Sequence, residues 1–145
     1  MTERREVVRA RGHENVAAEH ASTFEVTSDD WLTPAGDCIL AVEADRVPAD
    51  FDEEFVEACR DEDATITAEI AVETDEGETF AQTVAGRGHP DLTFEDDRSH
   101  VGRTSDYVDD RTVLVGAEGA AADFDRELVA ALADGASLTL TLTVE

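Results

Sequence analysis

The clearest pattern in the chain is a strict alternation of apolar and polar side chains. It occurs in ITAEIAV (66–72) and again in LTLTLTV (138–144). Such alternation is typical of strands with one face in a core and the other in solvent. GDCILAVEA (36–44) and DRTVLVGAE (110–118) are instead apolar runs rich in β-branched residues, which is typical of central strands. The pattern therefore predicts a chain made mostly of strands.

Two short segments have helical spacing. Each is predicted to begin at an aspartate N-cap, Asp50 in one and Asp123 in the other. The apolar positions that follow recur every three or four residues, as on one face of an amphipathic helix. They are Phe51, Phe55, Val56 and Cys59 in the first segment, and Phe124, Leu128, Val129 and Leu132 in the second.

These elements recur in the same order because the chain resembles itself. A shift of 76 residues aligns RGH (11–13) with RGH (87–89), and a shift of 73 aligns ADFDEEFV (49–56) with ADFDRELV (122–129). We therefore predict a tandem duplication of a βββαβ unit, with repeats at about 7–73 and 83–145. The fold class expected is β-dominated α+β: a single domain, 1–145, built as a pseudo-twofold β-sandwich or barrel-like structure with two short helices.

The charge of the chain indicates the kind of cell to which the protein belongs. The chain has 36 acidic residues and 11 basic ones, all of them arginine, for a net charge of −25. An acidic, lysine-free surface is typical of halophilic archaeal proteins, because strong screening makes such self-repulsion tolerable. In such a cell negative charge does not exclude nucleic acid as a partner.

Location follows from what the sequence lacks. Paired arginines near the amino terminus precede no apolar stretch, and the longest apolar run, CILAV, is five residues. We therefore expect a cytoplasmic protein without a membrane partner. Cys38 and Cys59 are then expected to be reduced thiols.

The Arg-Gly-His tripeptide is retained in both repeats and allows two interpretations. In the structural one, glycine supplies the turn, arginine lies on the surface and the imidazole caps a backbone carbonyl. In the functional one, Arg11 and His13 meet Arg87 and His89 across the pseudo-twofold and bind an anion or a metal. The sequence leaves both open.

A metal site would need a carboxylate as well. His13, His89 and one of Asp37, Asp91 or Asp110 are a chemically sufficient set for a divalent cation that activates water. The sequence alternative is therefore a metal-dependent hydrolase whose cofactor is a divalent metal.

One pair of aligned positions differs in character. Asp37-Cys38 aligns with Asp110-Arg111, so that a thiol stands opposite a cation. Cys38 could be a reactive nucleophile if a neighbour lowered its pKa, or simply a buried strand residue. Arg111 is a further candidate for binding an anionic ligand.

The usual catalytic signatures are absent from the sequence, including the Walker lysine, GxGxxG, GxSxG and HExxH. The function favoured is therefore a non-catalytic binding protein that takes an anionic small molecule or a macromolecular partner through its Arg-Gly-His turns.

The strings RGHENV, LTPAGDCILAVEAD, RGHPDL, SDYVDDRTVLV and AADFDRELV, in this order, resemble an archaeal family known as domain of unknown function 371. The resemblance extends from about Val7 to Val144. It implies a β-rich archaeal fold and no particular activity. The loss of every lysine fits a halophilic member.

Overall fold

A computed structural model describes residues 3–145, and within that range the chain forms eight strands and two α-helices. The strands are β1 (Arg4–Arg11), β2 (Thr23–Thr27), β3 (Ile39–Ala41), β4 (Thr65–Glu73), β5 (Thr79–Arg87), β6 (Ser99–Arg103), β7 (Thr112–Leu114) and β8 (Ser137–Val144). The helices are α1 (Glu53–Cys59) and α2 (Arg126–Ala133), each preceded by a 3₁₀ helix, Pro48–Asp50 and Ala121–Asp123. The predicted β-dominated α+β class is confirmed.

The strands form two four-stranded sheets. The long sheet has the order β1-β8-β4-β5 and is antiparallel throughout. The short sheet has the order β3-β2-β6-β7, with an antiparallel pair at its centre and a parallel pair on each side. Single bridges, Arg11 to Val42 and Arg87 to Val115, join the edges of the two sheets. The arrangement is therefore barrel-like.

The two halves of the chain follow the same path. Both run through three strands, a 3₁₀ helix, an α-helix and a final strand. They also share left-handed backbone at aligned positions: Ala18 and Phe94 have φ of 50° and 51°, and Glu43 and Gly116 have φ of 59° and 58°. Non-glycine residues seldom adopt this conformation, so its recurrence is a specific likeness. An origin by duplication stays a prediction.

Alternation in the long sheet builds the core. Along β4 and β8 every second side chain is buried, including Ile66, Ile70, Leu140 and Leu142. Each such side chain contributes about 1.5–3 kcal/mol when fully removed from water. The intervening residues are exposed or half-buried, so the sheet has one core face and one outer face.

The helices begin two residues later than predicted. Asp50 and Asp123 end the 3₁₀ helices, while Asp52 and Asp125 are the N-caps of α1 and α2. The residue between each pair of aspartates is extended, with ψ near 149° at Phe51, and its ring is buried. The helix therefore starts only after the phenylalanine has entered the core.

Candidate functional site

Each Arg-Gly-His turn rests on the helix of the other half. The Gly12 amide donates to the carbonyl of Ala136 at 2.7 Å, and a side chain at Gly12 would overlap the Leu132 carbonyl at the end of α2. Gly88 is placed in the same way against the Cys59 carbonyl at the end of α1. Only glycine permits this approach of two backbones, so the turns hold the halves together.

The imidazoles of these turns are also used locally. Nδ1 of His13 accepts the amide N–H of Asn15, and Nδ1 of His89 accepts that of Asp91, each at 3.0 Å. The direction of this hydrogen bond is opposite to the prediction. The ring accepts from an amide N–H, whereas the predicted ring donates to a carbonyl. A neutral imidazole that accepts at Nδ1 carries its proton on Nε2, so neither nitrogen is an open metal ligand in this state.

The structure does not bring the two turns together. Arg11 pairs with Ser137 at one end of the long sheet, on edge strand β1. Arg87 pairs with Thr65 at the opposite end, on edge strand β5. Three strand spacings of about 4.8 Å and eight residues of about 3.3 Å separate these corners, or roughly 30 Å. His13 and His89 therefore do not face one cavity.

The carboxylates proposed as metal ligands are dispersed as well. Asp91 lies 3.9 Å from Nδ1 of its neighbour His89, and Asp110 accepts the Thr93 hydroxyl at 2.8 Å. Asp37 precedes β3 and accepts backbone N–H groups through its own carbonyl. Within residues 3–145 there is no group of three or more His, Cys, Asp or Glu side chains that could hold a metal ion.

The arginines of the two turns differ in their surroundings. Arg11 forms an exposed ion pair with Glu43, with 2.6 Å between Nε and Oε2. The position aligned with Glu43 is Gly116, against which the Arg87 side chain lies. No carboxylate in the described part of the chain forms an ion pair with Arg87, so this guanidinium stays open to solvent.

A cavity of about 250 Å³ lies on the outer side of the short sheet. Glu25 and Ser99 point into it because their neighbours along β2 and β6 are buried in the core. Its other lining residues come from the loops beside the sheet, including Asp29, Trp31, Asp96, Arg98 and Arg111. The cavity therefore combines residues of both halves, among them the predicted candidate Arg111.

Carboxylates orient the two arginines of the cavity. Arg98 donates from Nε and Nη2 to Asp29 at 3.1 Å, and Arg111 donates from the same atoms to Asp109 at 3.3 and 3.0 Å. These hydrogen bonds raise the pKa of both guanidinium groups. Nη1 of each arginine has no hydrogen-bond partner among the described residues, so one donor edge of each remains.

Asp109 fixes the position of the Arg111 guanidinium. Burial alone would raise its pKa, but hydrogen bonds from Arg111 and Thr112, together with the charge of Arg103, lower the pKa to about 2. The carboxylate is thus ionised at all ordinary pH values, and it holds Arg103 and Arg111 side by side.

The remaining carboxylates of the cavity already accept hydrogen bonds. Asp96 accepts the backbone N–H groups of Arg98 and Ser99 at 3.1 and 2.7 Å. Glu25 accepts the thiol of Cys38 at 3.5 Å. Oδ1 of Asp96 and Oε2 of Glu25 have no hydrogen-bond partner among the described residues, so the lining offers acceptors beside its two open arginine edges.

The thiol of Cys38 is not prepared for nucleophilic attack. Burial and the charge of Glu25 raise its pKa to about 11. An activated cysteine needs the opposite shift, because the thiolate is the reactive form.

Two exposed aromatic side chains flank this outer side. Trp31 is 55% exposed and Tyr107 is 59% exposed, and they occupy aligned positions in the two halves. Tyr107 lies over the Arg103 guanidinium, 4.8 Å from the ring centroid. Sequence reasoning missed that Trp31 and Arg98 line the same cavity. The signal was an aromatic residue retained at aligned positions in otherwise polar loops.

No helix between residues 3 and 145 combines the length and the apolar character that a membrane crossing requires.

These features define the class of protein as a β-rich α+β domain of two bridged four-stranded sheets. The chain belongs to the family described as "Domain of unknown function (DUF371)", whose profile matches residues 8–145. It is similar to the uncharacterized protein MJ0206 of Methanocaldococcus jannaschii, with 38% identity over 138 residues, which cover 95% of this chain and 98% of that protein. The resemblance noted in the sequence is confirmed at the level of the family.

Proposed function

We propose that this chain is a non-catalytic binding protein that takes a small anionic ligand with a flat apolar part into the cavity beside Trp31. The observation that carries the proposal is the placement of Arg98 and Arg111 in one cavity with an exposed tryptophan. The site thus differs from the one expected at the Arg-Gly-His turns, while the class of ligand is the same.

The preference for an anion rests on the open donors. Asp29 and Asp109 hold Arg98 and Arg111 through Nε and Nη2, so little side-chain entropy remains to be lost on binding. A planar guanidinium with a free edge suits a carboxylate or phosphate. Because Glu25 and Asp96 already accept hydrogen bonds, they compete less strongly for these donors.

The preference for a flat apolar group rests on Trp31. A large aromatic side chain with more than half its surface in solvent loses apolar exposure when a ligand covers it, and a stacked ring adds about 0.5–1.5 kcal/mol. Ile39 lines the same cavity and extends the apolar contact.

The other functions considered have less support. The glycines and imidazoles of the Arg-Gly-His turns are used in the fold, which leaves Arg87 as the open group there. A metal-dependent hydrolase built on His13 and His89 has no observation in its favour, because the two turns lie at opposite corners of the long sheet.

We also propose a salt-rich archaeal cytoplasm as the setting, with a surface on which acidic groups dominate. The support is the balance of 36 acidic against 11 basic residues and the absence of lysine. Raising KCl from 0.2 to 3 M should then raise the thermal unfolding midpoint, because screening relieves the self-repulsion. A midpoint that falls or stays constant would contradict this setting.

The ligand proposal has a direct test because Trp31 is the only tryptophan of the chain. Its fluorescence, excited selectively, reports on this cavity alone. Titration with adenosine monophosphate, as a flat anionic probe, should give a saturable change, and inorganic phosphate should compete with it.

Arg98→Gln and Arg111→Gln should each weaken binding by about tenfold or more, the usual effect of losing a hydrogen bond to a charged group. The matched control is Arg5→Gln on the long sheet, which should bind as the unchanged protein does. A fluorescence signal that does not saturate, or equal affinities for all three variants, would reject the cavity as the site.

A further inference from the structure

The outer face of the long sheet is uncovered over its whole length. Eighteen positions point outward from β1, β8, β4 and β5, and none of them is buried. The outward side chains of the central strand β8 are short and uncharged: Ser137, Thr139, Thr141 and Thr143. A sheet face of this kind normally packs against another layer.

On this face basic residues outnumber acidic ones, which is the reverse of the balance in the whole chain. Its basic residues are Arg5, Arg9 and Arg11 on β1 and Arg87 on β5, and its acidic residues are Glu69 and Glu73, both on β4. Four basic against two acidic residues contrasts with 11 against 36 in the whole chain. The face therefore lacks the acidic excess by which the rest of the molecule would repel another copy.

We propose that a second copy of this chain packs face to face on the long sheet, related by a twofold axis parallel to the strands. Such an axis places β1 of one copy over β5 of its partner, and β8 over β4. Rows along the strands keep their positions, so residues paired across one sheet lie at the same height in the other.

The arrangement of charges selects this axis. In the register of the sheet, Arg9 lies in the same row as Thr139 and Ala71, and Glu69 and Glu73 stand two residues to either side of Ala71. Across the proposed interface Arg9 therefore faces the partner's Ala81 on β5. It lies at a height between the partner's Glu69 and the partner's Glu73, which are on the neighbouring strand β4. Sheets pack about 10 Å apart and strands about 4.8 Å apart, a separation that an arginine and a glutamate side chain can span together.

The competing arrangement is unfavourable. A twofold axis across the strands would place β1 over β1 of the partner, so that arginines face arginines and glutamates face glutamates. Like charges placed opposite each other across an interface cost several kcal/mol. Charge complementarity thus fixes both the partner and its orientation.

The area of the face is enough for a reversible dimer. Four strands about 4.8 Å apart and seven residues of about 3.4 Å each give about 450 Å² per copy, or about 900 Å² over both copies. Specific interfaces begin near 1,000 Å², so the dimer should dissociate on dilution. Short threonine and alanine side chains lose little rotamer freedom when they are covered.

Sedimentation equilibrium of the full chain across a hundredfold range of concentration tests the proposal. The buffer should contain 1 M KCl, where the Debye length is about 3 Å and the long-range repulsion between two acidic chains is screened. We expect a monomer–dimer equilibrium. Ala71→Arg, which places a long charged side chain at the centre of the face, should abolish the dimer without changing the circular dichroism spectrum.

A charge exchange tests the orientation. Arg9→Glu and Glu69→Arg should each raise the dissociation constant at least tenfold, and the double variant should restore it to within about threefold. Glu62→Arg, the same change of charge at an exposed loop residue, is the matched control and should have no effect. A monomer at every concentration, or a dimer insensitive to Ala71→Arg, would overturn the proposal, as would an oligonucleotide that binds the arginines of a monomeric protein.

Discussion

The backbone of Gly12 lies directly against the carbonyl group of Leu132, at the carboxyl end of the helix in the other half of the chain. No space for a β-carbon remains between the two backbones. The retained Arg-Gly-His tripeptide is therefore first of all a point of contact between the halves.

Substitution of this glycine should be costly. Gly12→Ala and Gly88→Ala should each lower the free energy of unfolding by at least about 2 kcal/mol, since the new methyl group must push two backbones apart. Urea denaturation measures the change. The control is Gly119→Ala, whose β-carbon would meet its nearest neighbour at an ordinary 3.4 Å. Equal effects at all three positions would contradict this account of the turns.

Acid should destabilise the protein through His100. Burial lowers the pKa of this imidazole to about 4, and the ring stacks on Phe51 at 5.5 Å with its Nε2 unpartnered. Because the unfolded chain binds this proton near pH 6.5 and the folded chain only near pH 4, stability is complete above pH 6.5 and falls between pH 6.5 and 4. One proton over that window is worth on the order of 3 kcal/mol.

The test is His100→Phe, which copies the aligned residue Phe24 of the first half. Its unfolding free energy should depend less steeply on pH between 6.5 and 4 than that of the unchanged protein. Parallel pH profiles for the two proteins would assign the acid sensitivity to other groups.

Cys38 should be slow to react at neutral pH. Since burial and Glu25 raise its pKa to about 11, little thiolate is present, and the same holds for Cys59, whose pKa burial raises to about 12. Iodoacetamide should label both thiols rapidly only in denaturant. Glu25→Gln removes the nearby charge and should speed labelling of Cys38 in the folded protein while leaving Cys59 unchanged. Fast labelling of folded, unchanged protein would contradict these shifts.

Removal of the Glu6 carboxylate should lower the stability of the fold more than the removal of an exposed carboxylate does. Its side chain is 8% exposed and accepts from Arg46 at 2.7 Å and from the amide of Asp52 at 2.7 Å. Glu6→Ala should cost about 2–4 kcal/mol, because a half-buried guanidinium and a helix N-terminal amide both lose their acceptor. Glu3→Ala, which removes only the exposed pair with Arg5, should cost less than about 1 kcal/mol. Thermal denaturation of the two variants distinguishes these outcomes.

Local patterns predicted the elements well where burial alone decides them. The alternation in residues 66–72 and 138–144 predicted β4 and β8, since one face of each lies in the core. Long-range contacts escaped the same reasoning. Arg126, for example, stands where the first half has Glu53, and its guanidinium donates to the carbonyls of Ala18 and Phe124. No local pattern encodes a contact across 108 residues.

The positions of the candidate site residues relative to one another were predicted less well for a related reason. Retention in both halves drew attention to Arg-Gly-His, but a residue is also retained when the same close contact is needed twice. The cavity, by contrast, brings Trp31 and Arg98 together from different halves. Asp29 then holds Arg98 across 69 positions of the chain, a relation visible only once β2 and β6 are paired.

Each Arg-Gly-His turn packs against the helix of the other half, and this exchange of contacts affects how the protein folds. The first half cannot cover the end of its own helix, and its strands β2 and β4 find their central partners, β6 and β8, only in the second half. Neither half is therefore a separate folding unit, and the whole chain should unfold in one cooperative step. A peptide containing a single half would expose the very surfaces that an identical peptide could cover, and two such peptides should assemble into a symmetric version of the same barrel.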